Sequence, residues 1–208
     1  MNGHSNIVGI ILAAGEGSRM GAIKQMLPFN GKTILQRVVD NAITSSLQSV
    51  VVVVGHCADL IVPTLNGNTV TVVINGAYKS GQCSSIKAGM GTVPEGVDAV
   101  LFILGDQPLV TPDTINLLLN AYRTSGAPIV LPTFNGIRGN PVLFSRETFR
   151  RLELLDCDSG ARPLFDEYPG RILQVPVDDC SIQFDIDTEE DYRRLCEFEL
   201  EQDSKIRM

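Results

Sequence analysis

Seven short apolar runs are separated by stretches with helical periodicity, and this pattern is compatible with few fold classes. Within most runs the residues are continuously apolar, without the alternation of apolar and polar side chains that a half-exposed strand shows. Strands buried on both faces have this pattern. Because helical stretches alternate with the runs, we predict an α/β fold: a doubly wound, mostly parallel sheet with helices on both faces. The runs are residues 7–12, 50–55, 70–74, 99–104, 128–132, 140–144 and 172–177.

Three helices have recognisable starts. Thr33 is followed three residues later by Gln36, which is the spacing of a capping box. Thr111 precedes Pro112, and proline is favoured at the first helical position. Thr188 precedes three acidic residues, which the positive end of a helix dipole stabilises. These signals predict helices that begin directly after each threonine.

The composition argues against several classes of partner and location. The net charge is −7 and no basic run occurs, so we expect neither nucleic acid nor an anionic membrane as a partner. No apolar stretch reaches the length of about eighteen residues that suggests a membrane span. The N-terminus lacks the features of a signal peptide, and five cysteines without metal-ligand spacing are typical of free thiols. We therefore predict a cytoplasmic protein, and the absence of any linker predicts one domain over residues 1–208.

A long glycine-bearing loop after the first apolar run is the strongest functional signal. Gly15 and Gly17 allow backbone N–H groups to approach a ligand, and Arg19 and Lys24 add positive charge to an acidic protein. Backbone amides combined with arginine and lysine suit a phosphate, and open α/β sheets bind ligands at this position. The spacing GxGxxxG fits neither the dinucleotide fingerprint nor the P-loop pattern. We therefore predict a phosphate-binding loop of another type, and the alternative is a surface turn with incidental cations.

Three aspartates are candidate metal ligands. Asp106 follows the run 99–104, and a carboxylate at the carboxyl end of a central strand faces the ligand crevice. There it could bind Mg²⁺ together with water and triphosphate oxygens, or it could cap the next turn. Asp185 and Asp187 lie two apart on an extended segment, so their side chains point the same way. The local pattern is equally compatible with a second metal contact and with Asp187 assisting the cap at Thr188.

Two further regions carry weaker signals. The segment 75–89 has a glycine-bearing turn before a helix that we predict to begin at Ser84 or Ser85. Backbone amides at such a helix N-terminus suit an anion or the polar edge of a base. Arg138 and Arg162 lie in later loops, where either one alone could form a surface ion pair or bind a phosphate.

Four stretches of the chain resemble the motifs of one known family. LAAGEGSRMGAIK at residues 12–24 is similar to the LAAGxSxRMGxxK signature of the molybdenum-cofactor nucleotidyltransferases, within the wider sugar-nucleotide-transferase-like superfamily. Three further motifs of that family are similar to LGDQP at 104–108, RGNPVLF at 138–144 and DSGAR at 158–162. Ala14 resembles the cytidylyltransferase branch, because the guanylyltransferase branch usually has LAGG at this point.

The resemblance implies a reaction and a set of substrates. A single nucleotidyltransferase domain, residues 1–208, would transfer CMP from CTP to the terminal phosphate of molybdopterin-bound molybdenum cofactor and release pyrophosphate, with Mg²⁺ as its cofactor. A recipient molybdoenzyme would be a further partner. Two alternatives stay open: the same chemistry with GTP or another phosphorylated acceptor, and a non-catalytic nucleotide- or cofactor-binding chaperone of a molybdoenzyme. A nicotinamide-dependent oxidoreductase is disfavoured by the glycine spacing.

The resemblance also implies a role for individual residues. The catalytic residues would be Arg19, Lys24 and Asp106. The nucleotide would contact Leu12, Ala13, Ala14, Gly15, Gly17, Arg19, Lys24, Asn75, Gly81 and Ser85. The acceptor would contact Arg138, Asn140 and Arg162. The metal would be held by Asp106 and by Asp185 or Asp187.

Overall fold

The computed structural model describes residues 5–17, 20–65, 67, 69–156 and 160–206, with side chains described up to residue 198. The strands in these ranges are β1 (Ile7–Ala13), β2 (Pro28–Phe29), β3 (Lys32–Thr33), β4 (Ser49–Val54), β5 (Thr71–Ile74), β6 (Ala99–Leu104), β7 (Ile129–Phe134), β8 (Ile137–Arg138), β9 (Val142–Ser145) and β10 (Ile172–Pro176). The helices are α1 (Ile34–Thr44), α2 (Ala58–Ile61), α3 (Gln82–Met90), α4 (Pro112–Ser125), α5 (Phe149–Glu153), α6 (Pro163–Glu167) and α7 (Glu189–Ile206).

The central sheet has the strand order β10-β7-β9-β6-β1-β4-β5, and β8 pairs with β7 at one side. Strands β5, β4, β1 and β6 are mutually parallel, and β10 is parallel to β7. Strand β9 runs antiparallel to both of its neighbours. The predicted doubly wound, mostly parallel sheet is therefore confirmed. At its carboxyl edge Leu12 of β1 is paired with Val53 and Leu104, so β1, β4 and β6 end side by side.

Each face of the sheet is covered by its own hydrophobic cluster. On one face Ile11 of β1 packs with side chains of α1 and α4, including Leu35 and Leu118. On the other face Ile10 packs with α3, α5 and α6, including Ile86. Because successive residues of a strand point to opposite faces, both faces being buried requires a continuously apolar strand. None of the described helices combines the length and apolar character that crossing a membrane requires.

The predicted helix starts at the three threonines are confirmed. Thr33 Oγ1 accepts a bond from the Gln36 backbone N–H, and Gln36 returns one to the Thr33 N–H. The hydroxyls of Thr111 and Thr188 accept bonds from the N–H groups three residues later.

Two of the predicted starts lie two or more residues from those in the structure. Helix α3 begins at Gln82, two residues before Ser84, because Gly81 has φ 91 and reverses the chain at that point. Ser84 therefore lies in the first turn, where its hydroxyl donates to the Gly81 carbonyl. Strand β9 begins at Val142 rather than at residue 140, since Pro141 has no N–H to donate to a neighbouring strand.

Candidate active site

A cleft with two adjoining cavities opens at the carboxyl edge of the sheet. The loop-side cavity is lined by the segment after β1, by the carboxyl end of β6 and by the segment before α7. The arginine-side cavity lies over β6, β7 and β9 and is also lined by Ala161, Arg162 and Phe165. Leu12, Gln82 and Leu104 line both cavities. The cleft therefore has two compartments that meet at the ends of β1 and β6.

Lys24 is the centre of charge in the loop-side cavity. Its Nζ donates to Asp106 Oδ2 at 2.5 Å and to Asp187 Oδ1 at 3.0 Å, and the residue is only 9% exposed. Burial by itself lowers the pKa of Lys24, but the neighbouring Asp106 and Asp187 outweigh it, so the pKa is raised above the ordinary lysine value. The ammonium is consequently held in its charged form at one wall of the cleft.

The loop after β1 is tied to the sheet by side chains that point inward. Gln25 is buried, and its amide donates to the carbonyls of Ala13 and Gly15, both at 3.4 Å. Gly17 has φ 58, and a Cβ atom there would lie 3.4 Å from Cγ of Lys24. The positive φ therefore favours glycine at this position, where the chain passes beside the aliphatic part of the lysine. A 3₁₀ turn over Lys24–Met26 then completes the placement of the ammonium group.

Asp185 is held by a residue that the sequence analysis did not single out. Gln107 is 1% exposed, and its Nε2 donates to Asp185 Oδ1 at 2.6 Å. Burial raises the pKa of Asp185 to about 6, and the charge of Asp106 adds to this effect, whereas the bond from Gln107 opposes it. The side chain of Asp185 is exposed to solvent in the cleft, so water screens part of the repulsion between its carboxylate and that of Asp106. The one signal for Gln107 was its position directly after Asp106 in LGDQP.

The residues predicted to contact nucleotide fall into three groups. Those that line the loop-side cavity are Leu12, Ala14, Gly15, Lys24, Gly81 and Ser85. Ala13 is buried in the hydrophobic cluster shared with α1 and α4, and Gly17 lies behind Lys24. Asn75 is also buried: its amide donates to the hydroxyls of Ser84 and Ser85 and its Oδ1 accepts from the Ala77 N–H. Asn75 thus fixes the turn before α3 instead of lining the cleft. Arg19 lies outside the described residues.

The three residues predicted to contact the acceptor lie together. Arg138, Asn140 and Arg162 all line the arginine-side cavity. The floor of this cavity is apolar and aromatic, with Phe144 and Phe165 stacked at a ring-centroid distance of 6.4 Å. The guanidinium carbon of Arg138 lies 5.4 Å from the centroid of Phe165. The cavity thus combines an apolar floor with cationic walls.

The aspartates of the loop-side cavity fit a metal ion that arrives with a phosphate ligand. Within the described ranges no three His, Cys, Asp or Glu side chains form a preformed metal site. Mg²⁺ at nucleotide sites, however, needs only one or two protein carboxylates, because phosphate and water supply the other ligands. Asp106 and Asp187 already hold one cation between them, the Lys24 ammonium, and Asp185 lines the same cavity.

A family model and one relative identify the family of the chain, and solved structures share its fold. The family model described as "MobA-like NTP transferase domain" matches residues 9–172. The chain is 30% identical over 183 residues to molybdenum cofactor cytidylyltransferase of Escherichia coli (strain K12), covering 88% of this chain and 92% of that protein. The manganese complex of Rv0371c from Mycobacterium tuberculosis matches with a TM-score of 0.80 and 28% identity, covering 93% of this chain and 99% of that one. A nucleotidyl transferase from Methanothermobacter thermautotroptrophicus shares the fold, with a TM-score of 0.83, 24% identity, and coverage of 96% of this chain and 100% of that one.

Proposed function

The chain belongs to the MobA-like NTP transferase family and is a nucleotidyltransferase, and we propose on this premise that it makes a cytosine dinucleotide. In the proposed reaction CMP passes from CTP to the terminal phosphate of molybdopterin-bound molybdenum cofactor, and pyrophosphate is released. The observation that carries the proposal is the two-compartment cleft, in which a lysine and three aspartates adjoin a cavity bearing two arginines. The relative in Escherichia coli, a molybdenum cofactor cytidylyltransferase, supports the choice of substrates.

CTP would occupy the loop-side cavity. Lys24 and the backbone N–H groups of the loop suit a triphosphate, and Arg19 would add a second cation. Gly81 and Ser85 line the same cavity as Lys24, at the start of α3. Ala14 also lines it. A methyl group at this position narrows the space for a base and favours a one-ring pyrimidine. One contact of this size contributes about 1–3 kcal/mol of discrimination.

The acceptor would occupy the arginine-side cavity. Arginine forks suit a phosphate, and the guanidinium groups of Arg138 and Arg162 would bind the terminal phosphate of the cofactor. The apolar floor beside Phe144 and Phe165 would accept a flat ring system such as a pterin. Asn140, which lines the same cavity, would add a neutral hydrogen-bonding contact.

The chemistry would require positioning and charge stabilisation rather than a covalent intermediate. The acceptor phosphate is already an anionic nucleophile and would attack the α-phosphorus in line with the departing pyrophosphate. Lys24 would neutralise negative charge that develops on the leaving group. Asp106 and one of Asp185 and Asp187 would hold Mg²⁺, which when bound supplies further neutralisation of phosphate charge. The proposal includes the whole chain as one catalytic domain, a cytoplasmic location and delivery of the product to a molybdoenzyme.

Pyrophosphate release from each of the four ribonucleoside triphosphates, with and without molybdenum cofactor, tests the proposal. We expect release with CTP only when the cofactor is present, loss of release after treatment with EDTA, and recovery on addition of Mg²⁺. A preference for GTP would contradict the cytidylyl assignment. Release that depends on a different phosphorylated acceptor would contradict the acceptor, and no release with any combination would favour a binding chaperone.

A further inference from the structure

Gln82 is the polar side chain at the boundary between the two cavities. Leu12, Gln82 and Leu104 line both of them, and of these three Gln82 has an amide that can donate and accept hydrogen bonds. It is the first residue of α3, directly after Gly81 turns the chain with φ 91. Its position is therefore fixed by a helix start and not by a long loop.

The side chain of Gln82 contacts the acceptor side of the cleft. A Cβ atom at Gly160 would lie 2.2 Å from Oε1 of Gln82, so the side chain of Gln82 rests against the bare Cα of that glycine. The thiol of Cys83 donates to the Gly160 carbonyl at 3.6 Å. Gly160 directly precedes Ala161 and Arg162, which line the arginine-side cavity. Two consecutive residues of α3 thus join the nucleotide compartment to the acceptor compartment.

The reacting groups of the two substrates must meet at this boundary. The proposed function puts the triphosphate in one compartment and the acceptor phosphate in the other, and in-line attack needs the two phosphorus centres correctly aligned. We infer that Gln82 is a substrate-aligning residue whose side-chain amide donates to the acceptor's phosphate at the point where the two substrates meet. This inference rests on the proposed function. A neutral amide suits the position, since a carboxylate there would repel both phosphates.

A substitution at Gly160 tests the contact between Gln82 and Gly160 independently of any change at Gln82. Its φ of 61 and its contact with Gln82 mean that alanine at this position is strained and also occupies the volume of the amide. Displacing Gln82 in this way should lower turnover as the direct substitution does. The two variants act from opposite sides of the cleft.

The experiment compares Gln82→Ala, Gln82→Glu and Gly160→Ala with a control, Lys87→Ala, which changes an exposed residue on the same helix outside both cavities. Steady-state pyrophosphate release gives kcat and KM for the acceptor, and calorimetry gives the Kd of CTP in the absence of acceptor. We expect Gln82→Ala to lower kcat/KM for the acceptor by roughly 10- to 100-fold, the range for one hydrogen bond to a charged group. The Kd of CTP should stay within about threefold of wild type, the loss in Gln82→Glu should be larger, and Lys87→Ala should match wild type.

The possible outcomes separate this inference from the function on which it rests. Wild-type kinetics in Gln82→Ala overturn the inference and leave the proposed function intact. A parallel loss of CTP affinity assigns Gln82 to the nucleotide alone and also overturns it, as does a Gln82→Glu variant that is no worse than alanine. Absence of turnover in the wild-type protein overturns both.

Discussion

Lys24 is a buried cation whose two partners come from distant parts of the chain. Asp106 lies 82 positions and Asp187 163 positions away, yet both accept hydrogen bonds from the same ammonium group. Removal of the lysine would leave carboxylates close together without a positive charge between them. The same ammonium group is the cation best placed among the described residues of the loop-side cavity to contact a triphosphate.

We expect Lys24→Met to lower turnover while the protein stays folded. An electrostatic contact that stabilises charge in the transition state contributes roughly 3–4 kcal/mol, so pyrophosphate release should fall by about two to three decades. Circular dichroism checks the fold, and Lys32→Met is the matched control because Lys32 forms an exposed ion pair with Asp40. Wild-type turnover in a folded Lys24→Met variant would exclude this lysine from catalysis.

Asp185 should make the metal-free protein less stable as the pH rises. Its folded-state pKa of about 6 lies above the ordinary value of 3.8, so between these values the folded protein retains a proton that the unfolded chain has lost. The extra bound proton stabilises the folded state at low pH, and this stabilisation is lost as the pH rises through about 6. In EDTA we expect Asp185→Asn to melt above wild type at about pH 8, with a difference that shrinks toward about pH 4. Asp178→Asn, at an exposed position, serves as the control. A difference in melting temperature between Asp185→Asn and wild type that does not change with pH would contradict the raised pKa of Asp185.

Helix α3 connects the packing of the sheet to the cleft. Its first turn carries Gln82 and Ser85, which line the loop-side cavity. Nearer its other end, Gly89 faces the sheet so closely that a Cβ there would lie 2.6 Å from Ile10 Cγ2 and 3.2 Å from Val53 Cγ2. The distance between helix and sheet therefore depends on a missing side chain. The placement of the cleft residues on α3 depends on that distance.

Gly89→Ala should push α3 away from the sheet. Overpacking of a tight core contact costs typically about 1–3 kcal/mol, so we expect lower stability in chemical denaturation together with reduced turnover per folded molecule. Gly91→Ala is the control, because the nearest atom to its Cβ, the Lys87 carbonyl oxygen, would be 3.5 Å away and its φ of −61 suits alanine. Equal stability of the two variants would show that α3 can repack without cost.

Across the whole molecule, the loop after β1 and the C-terminal helix stabilise each other. Met20 and Phe29 of the loop form a hydrophobic cluster with Ile186 and with Leu195 of α7. The hydroxyl of Tyr192 donates to the Pro28 carbonyl at 2.8 Å. Asp185 and Asp187 flank the buried Ile186, so the packing that anchors α7 also sets the two carboxylates at the cleft. Both ends of the chain therefore contribute to one site.

Because of this connection, the protein should unfold as one cooperative unit. We expect thermal transitions followed by far-ultraviolet circular dichroism and by tyrosine fluorescence to coincide. CTP with Mg²⁺ should raise both midpoints together, because the ligand binds the folded state alone. A separate early loss of α7 that leaves the sheet intact would contradict the single-domain proposal.

The layers of the fold and the positions of several site residues could be predicted from the residues alone. Continuous apolar runs indicated strands covered on both faces, because a strand with one wet face would alternate. The pairing of Thr33 with Gln36 indicated a helix start, since a capping box is formed within four residues. The position of Asp106 after an apolar run placed it at the carboxyl edge of the sheet. All of these signals are local or follow from the alternation of strand and helix.

Which polar side chains meet, and which of them face the cleft, depends on how the sheet and helices pack. The support that Gln107 gives to Asp185 and the contact of Gln82 with Gly160 join residues far apart in sequence. The inward position of Asn75 depends on its bonds to two serines of the next helix. The start of α3 was also missed, because φ 91 at Gly81 moved it ahead of the serines. A hydrogen bond between distant residues has no periodicity and no fixed spacing along the chain. It exists only because packing of the sheet and helices brings the two groups to within about 3 Å of each other.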